Sequence, residues 1–347
     1  MMRIYTDTDV CTYHANNIKN DNFELVDGIT YADYAIFHMP FPFNSDPIFQ
    51  DKINQALKIC KKVVILVSEL HYDSVKFFKG NQDSKIVYFI SGIVNNIKSN
   101  QWLDWIHRTS DFYKRNIRIL DQLNPYEGKS KSFDILLGRN RPHRSVVHNF
   151  INENLFNDKV IMTYLDGLNA IEDQDNQGWV WGNRGVELPN TKITGTVTVV
   201  EYYGQKISLS QIIPIDIYNQ TAYTVIAETN HNNQYSFFTE KIVKPILAER
   251  LFIVFSGQHY LRNLRRLGFK TFDDIIDETY DSIADNNQRF SLACEQIKYL
   301  INQPQEYILA KIRHITEHNK QVMLTTDWYG DFSRELRAVL LDHKLAH

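Results

Sequence analysis

Short runs of β-branched and aliphatic residues alternate with helical patterns through the first third of the chain. Residues 3–6, 33–38, 63–67 and 86–90 read as strands, in the rhythm of a parallel sheet with crossover helices. One crossover is strongly marked. Asp46 reads as an N-cap, Pro47 as the first helical residue, and Phe49, Ile53, Leu57 and Cys60 share one face, which predicts a helix packed on the sheet. A second helical pattern, 101–123, carries Trp102, Trp105, Ile106 and Tyr113 and stops before Asn124-Pro125.

Residues 124–132 are polar and rich in breakers, which places a domain junction there. The alternation then restarts, with strands at 133–137, 160–164, 223–227 and 251–255 and helices at 143–154, 239–249 and 260–267. A polar segment, 172–178, and a β-branched run, 192–200, lie between. The segments 283–301 and 304–323 are helical, with Ile283, Phe290, Ile297 and Ile301 as a buried stripe, and 328–345 reads as one more helix. The pattern predicts an α/β protein with domains at 1–124 and 133–322 and a helical tail at 323–347. Two such halves hold ligands in a cleft at the carboxyl ends of their strands.

The length of 347 residues, at about 150 per domain, agrees with two domains, each large enough for its own core. With 38 Lys+Arg against 41 Asp+Glu the formal charge is −3, which argues against a broadly basic nucleic-acid coat and leaves room for a local basic groove. Cys11, Cys60 and Cys294 are scattered, so neither a disulfide framework nor a zinc site is written here. The longest apolar runs, 63–67 and 251–255, fall far short of the ~20 residues that cross a bilayer, and the polar start has no signal-peptide core. A cytoplasmic protein without a membrane anchor is the expectation.

The densest chemistry lies at Tyr223–Asn230 and Phe237–Leu247. A strand delivers Glu228, and Thr239 caps a helix whose first turn holds Glu240 and Lys241. A helix start with unpaired N–H groups and an adjacent lysine suits a diphosphate, and the carboxylates suit ribose or sugar hydroxyls. The plainer reading is a capped helix with a solvated charged face. Upstream, Arg139, Arg141 and Arg144 cluster where a strand passes into a helix, facing a phosphate, a polyanionic acceptor or solvent. In the first domain a buried strand delivers Glu69 to its carboxyl end, where a general base belongs; His71 and Asp73 are its rivals. Asp7-Thr8-Asp9 is a weak metal-binding pattern, and Arg262, Arg265 and Arg266 read as a solvated helix face or a phosphate-binding edge.

These segments resemble the donor-binding core of the family-10 glycosyltransferases, the α1,3-fucosyltransferases and their bacterial and phage-type relatives. Those enzymes show a strand ending in Phe-Glu-Asn, a loop, Thr-Glu-Lys opening a helix, then a strand and a glycine. The corresponding residues are Ala227-Glu228-Thr229-Asn230, Thr239-Glu240-Lys241 and Ser256-Gly257, with Thr229 where the family has Asn. The continuation Leu264–Phe272 and Asp277–Asp281 looks like the phage and bacterial members, and the likeness spans about 133–282.

The resemblance implies a glycosyltransferase-B architecture, two Rossmann-like domains facing a cleft, and inverting transfer of a sugar from a GDP- or UDP-sugar to an acceptor hydroxyl on a glycan, with no obligatory metal. It implies that Arg144, Lys241 and the Thr239 helix start meet the diphosphate, Glu240 the ribose and Glu228 the transferred sugar, with Glu69 as base. Two alternatives stay open: a phage enzyme glycosylating hydroxymethylated pyrimidines in DNA, and a non-catalytic protein that binds nucleotide sugars or glycans.

Overall fold

Among residues 2–18, 23–39, 47–139, 141–165, 191–193 and 199–341, which a computed structural model of the chain describes, strands and helices form a mixed α/β protein with two parallel sheets. The chain divides into two units: Met1–His107 with Gln234–Phe238 and Asp327–His347, and Arg108–Asn233 with Thr239–Thr326.

The first unit is built on β1 (Met2–Thr6), β2 (Phe23–Val26), β3 (Tyr34–His38), β4 (Lys62–Val67), β5 (Ile86–Ile90) and, after the short β6 (Gly92–Val94), β7 (Asn100–Gln101). The sheet order is β2-β1-β3-β4-β5-β7, parallel throughout. Central strands of such a sheet are buried on both faces, so Val63 through Val67 form one unbroken apolar run. Ala35, Phe37, Val63 and Ile65 point to one face, and Ile36, Val64, Leu66 and Phe89 to the other. Helix α1 (Asp9–Ile18) covers the second face with Cys11, Ala15 and Ile18. Helix α2 (Pro47–Ile59) begins at Pro47 as its sequence demands and buries Phe49, Ile53 and Ala56 on the first face, with Cys60 just beyond; Asp46 lies outside the described residues. Helix α3 (Tyr72–Gly80) follows β4.

The helical pattern at 101–123 resolves into three pieces. Trp102 N–H pairs with Ile90 O and keeps the chain extended, α4 occupies Asp104–Arg115, and a 3-10 segment follows at Ile117–Gln122. The division between units falls inside α4. Its second half belongs to the second unit, where buried Tyr113 accepts from Ile213 N–H at 2.6 Å. The 124–132 stretch is also tied there: Tyr126 OH donates to Glu249 at 2.6 Å, and Lys129 N–H to Gln305 at 2.9 Å.

In the second unit β8 (Lys131–Arg139), β9 (Val160–Leu165), β13 (Thr221–Ala227) and β15 (Phe252–Phe255) form a parallel sheet in the order β15-β13-β8-β9. A separate antiparallel sheet contains β10 (Thr191–Ile193), β11 (Val199–Tyr202) and β12 (Gln205–Ser208). The run expected at 192–200 therefore covers two strands, with 194–198 and the polar 172–178 outside the described residues. Helices α5 (Pro142–Glu153), α6 (Ile215–Gln220), α7 (Glu240–Leu247), α8 (Tyr260–Arg266), α9 (Asn286–Ile301) and α10 (Gln305–Thr325) complete the unit. Asp285 caps α9 by accepting from Gln288 N–H, so Ile283 precedes the helix rather than joining its buried stripe.

Two later segments return to the first unit. Strand β14 (Tyr235–Phe237) pairs antiparallel with β6, and Gly92 is required there, because a Cβ would lie 2.1 Å from the Ser236 carbonyl oxygen. Helix α11 (Trp328–Leu340) adds Phe332, Leu336 and Leu340 to the second face, where Trp102 stacks on Phe332.

Candidate functional site

Strand β13 ends at Ala227, and Glu228 extends its ladder by one bond, N–H to Phe255 O. The Glu228 side chain is buried, and both carboxylate oxygens are engaged. Tyr260 OH donates to Oε1 at 2.7 Å; Thr239 Oγ1 donates to Oε2 at 2.8 Å, where Thr229 N–H also arrives at 3.2 Å. Burial pushes this carboxyl above its usual range, against the pull of Lys241 and the Tyr260 bond.

Thr239 is the N-cap of α7, and its oxygen also accepts from Lys241 N–H at 3.3 Å. Lys241 Nζ lies 2.8 Å from Glu240 Oε1 and 3.3 Å from Thr229 Oγ1, so the residue that replaces the expected Asn still faces the site lysine. Burial alone would raise the Glu240 carboxyl, but Lys241 and Lys244 more than reverse this and hold it low. Burial takes Lys244 down to about 8, with Glu240 opposing.

The second helix start comes from α5. Pro142 occupies its first turn, where a missing N–H costs nothing, and Arg144 folds back so that Nη2 approaches Ala227 O at 3.4 Å and Glu228 O at 3.5 Å. His143 Nε2 sits 2.8 Å from the same Glu228 carbonyl. Burial depresses His143 to about 3, so the ring is neutral, and because a carbonyl only accepts, Nε2 carries the proton.

Arg144, Glu228, Thr239, Glu240 and Lys241 are thus assembled around the carboxyl end of β13. The loop beyond it is held by Ser256 Oγ on Asn230 O and by Asn233 Oδ1 on Gln258 N–H. Gly257 is obligatory beneath it, since a Cβ would meet Asn232 O at 2.2 Å. Arg141 is the half-buried residue preceding α5, and Arg139 ends β8, its side chain outside the described residues. Arg262, Arg265 and Arg266 are all exposed, and Arg265 is in addition paired with Glu278 and Thr271. Tyr260 and His143 were not singled out by the sequence: one begins an ordinary helix and the other follows a proline, and their bonds to residue 228 cross the fold.

In the first unit Glu69 Oε2 lies 3.9 Å from His71 Nε2, and Asp73 sits in the first turn of α3. Asp7 is committed to the sheet rim, where Oδ1 accepts from His38 N–H at 3.0 Å and Cys11 Sγ at 3.3 Å. Beside it His38 Nε2 lies 3.0 Å from Ser68 Oγ, a pair invisible in sequence because its members end different strands.

Two buried carboxylates, an arginine, a partly exposed lysine and two helix starts suit a ligand that combines anionic oxygens with hydroxyls. Among the described residues no group of three His, Cys, Asp or Glu is arranged to hold a metal ion, and no helix is long and apolar enough to cross a membrane. Compared with protein-family models and with curated proteins, the chain matches none of either.

Proposed function

We propose that the chain is an inverting glycosyltransferase of glycosyltransferase-B architecture, which moves a sugar from a GDP- or UDP-sugar to an acceptor hydroxyl on a glycan in the cytoplasm of a bacterial or phage-infected cell. The observation that supports this most is the bonded cluster of Glu228, Thr239, Glu240 and Lys241 at the α7 start, with Arg144 against the same strand end. In this reading Lys241, Arg144 and the α7 N–H groups stabilise the departing diphosphate. The acceptor oxygen bonds to the anomeric carbon, the bond to the diphosphate breaks with its electron pair on the leaving group, and the acceptor proton passes to a base, read from the sequence as Glu69. Glu240, beside the partly exposed Lys241, accepts from donor hydroxyls. Glu228 holds Tyr260 on one oxygen and Thr239 on the other, so it shapes the helix start, and Oε1 keeps a second acceptor site for a sugar hydroxyl.

A thermal-shift panel of GDP, UDP, CMP, dTDP and their sugar conjugates tests the donor pocket. A ligand specific for the folded state adds about 2.7 kcal/mol at 100 times its Kd. A selective shift that Lys241→Ala abolishes supports the reading, and no shift with any nucleotide overturns it. Transfer to hydroxymethylated DNA and not to glycans would assign the DNA acceptor. Donor binding without transfer or hydrolysis would assign a binding protein.

A further inference from the structure

At the carboxyl rim of the first unit's sheet, β1, β3 and β4 are adjacent, and each delivers a polar residue just at or past its end: Asp7, His38 and Ser68. His38 is fixed from both sides. Its own N–H donates to Asp7 Oδ1 at 3.0 Å, and the next residue continues the ladder through Met39 N–H on Leu66 O at 2.9 Å. The ring is fixed as well, edge-on to Trp102 at 5.9 Å with Nε2 3.0 Å from Ser68 Oγ. Ser68 therefore marks a place where a hydroxyl rests at hydrogen-bond distance from an imidazole nitrogen. That is the ground-state geometry general-base catalysis on an alcohol requires. The Glu69 carboxylate approaches His71 Nε2 at the longer distance of 3.9 Å.

We propose that His38, seated against Ser68, is the base that takes the proton from the acceptor hydroxyl; this rests on the transferase reading for its substrate. As the acceptor oxygen bonds to the anomeric carbon, its proton moves to His38 Nε2, either directly or through the Ser68 hydroxyl, which gives one proton to the imidazole as it receives one. The diphosphate leaves with the electron pair of the broken bond, and the imidazolium later returns its proton to water. The groups facing His38 favour this cycle. Burial lowers its pKa and keeps the resting ring neutral, while Asp7 from the end of β1 and Asp104 from α4 stabilise the cation once formed. His14 from α1, depressed by burial to about 4, stays neutral beside it.

The test measures the pH profile of kcat/KM for the whole chain, its His38→Gln, Ser68→Ala and Glu69→Gln variants, and His38→Gly with added imidazole. His38 as base predicts a loss of roughly 100-fold or more in His38→Gln, the range general-base catalysis spans. It also predicts partial recovery of His38→Gly with imidazole and an acid limb displaced in Ser68→Ala. An acid limb that survives His38→Gln and disappears in Glu69→Gln overturns it. Carbon-13 NMR of labelled histidine, read against His38→Gln, separates the failures. A His38 that titrates below 6.5 and responds to Ser68→Ala, in a chain that transfers no sugar, sinks the transferase reading and the base role with it. A His38 that titrates like free imidazole and ignores Ser68→Ala sinks the pair itself.

Discussion

The Thr239 hydroxyl, which caps α7 through Lys241 N–H, gives its own proton to Glu228 Oε2 at 2.8 Å. One side chain thus satisfies a helix terminus and a buried carboxylate together. Thr239→Ala loses both, a cost of about 2 kcal/mol from an uncapped helix and an under-bonded carboxylate oxygen. Thr239→Ser, which keeps the hydroxyl, should recover most of it. Urea denaturation of the two variants checks the difference.

Asp134 and Arg250 form a buried ion pair at 2.7 Å, and the guanidinium is completed by Thr224, Thr221 and the carbonyls of Tyr218, Thr221 and Tyr223. Arg250→Met strands the Asp134 charge and should cost about 3–5 kcal/mol. Adding Asp134→Asn should cost less than its separate effect, since the charge left stranded is then gone. A double-mutant cycle of unfolding free energies measures the coupling.

His14 and His143 are depressed by burial to about 4 and about 3, against 6.5 for the free side chain. Between pH 6.5 and those values the unfolded chain binds protons that the folded chain refuses, so each histidine makes stability fall as pH falls. The slope approaches about 1.4 kcal/mol per pH unit per group. His14→Gln should flatten the decline between pH 6 and 4 relative to the parent. Unfolding free energies measured in steps across that interval give the comparison, and the buried carboxylates contribute equally to both proteins.

Gly257→Ala drives a methyl group onto a backbone oxygen, Asn232 O, that has no side-chain freedom to yield. The 230–233 loop must shift, at about 1–3 kcal/mol for overpacking. Because Thr229 at its base touches Lys241, any nucleotide that shifts the melting temperature of the parent should shift the variant less. Thermal-shift titrations of both proteins compare the two.

Buried parallel strands wrote themselves plainly into the sequence, as Val63–Val67 and Phe252–Phe255 show, because both faces demand apolar residues. The edge strand β2 was silent, being four residues long with Glu24 inside it. The helix expected to run unbroken to residue 123 breaks because Asn116 leaves helical geometry, which hydrophobic periodicity does not register. The cluster around Lys241 was readable because Thr239, Glu240 and Lys241 are consecutive and Glu228 stands 11 residues from Thr239. The bonds from Tyr260 to Glu228 and from His38 to Ser68 span 32 and 30 residues, and each depends on which strands are neighbours. Sheet order is not a local property of the chain.

Helix α11 also bears on how the molecule is made. Phe332, Leu336 and Leu340 close a face whose other members, Ile4, Ile36 and Val64, are synthesised some three hundred residues earlier. A ribosome that has completed the β1–β7 sheet therefore holds two unfinished faces, one awaiting Tyr235 and Phe237 of β14 and the other awaiting α11, and the second stays open until nearly the whole of this chain has emerged. The first unit to begin folding is the last to finish. Until then its sheet offers an apolar patch to chaperones, and a nascent chain arrested before residue 328 should be bound by them more than the full-length chain.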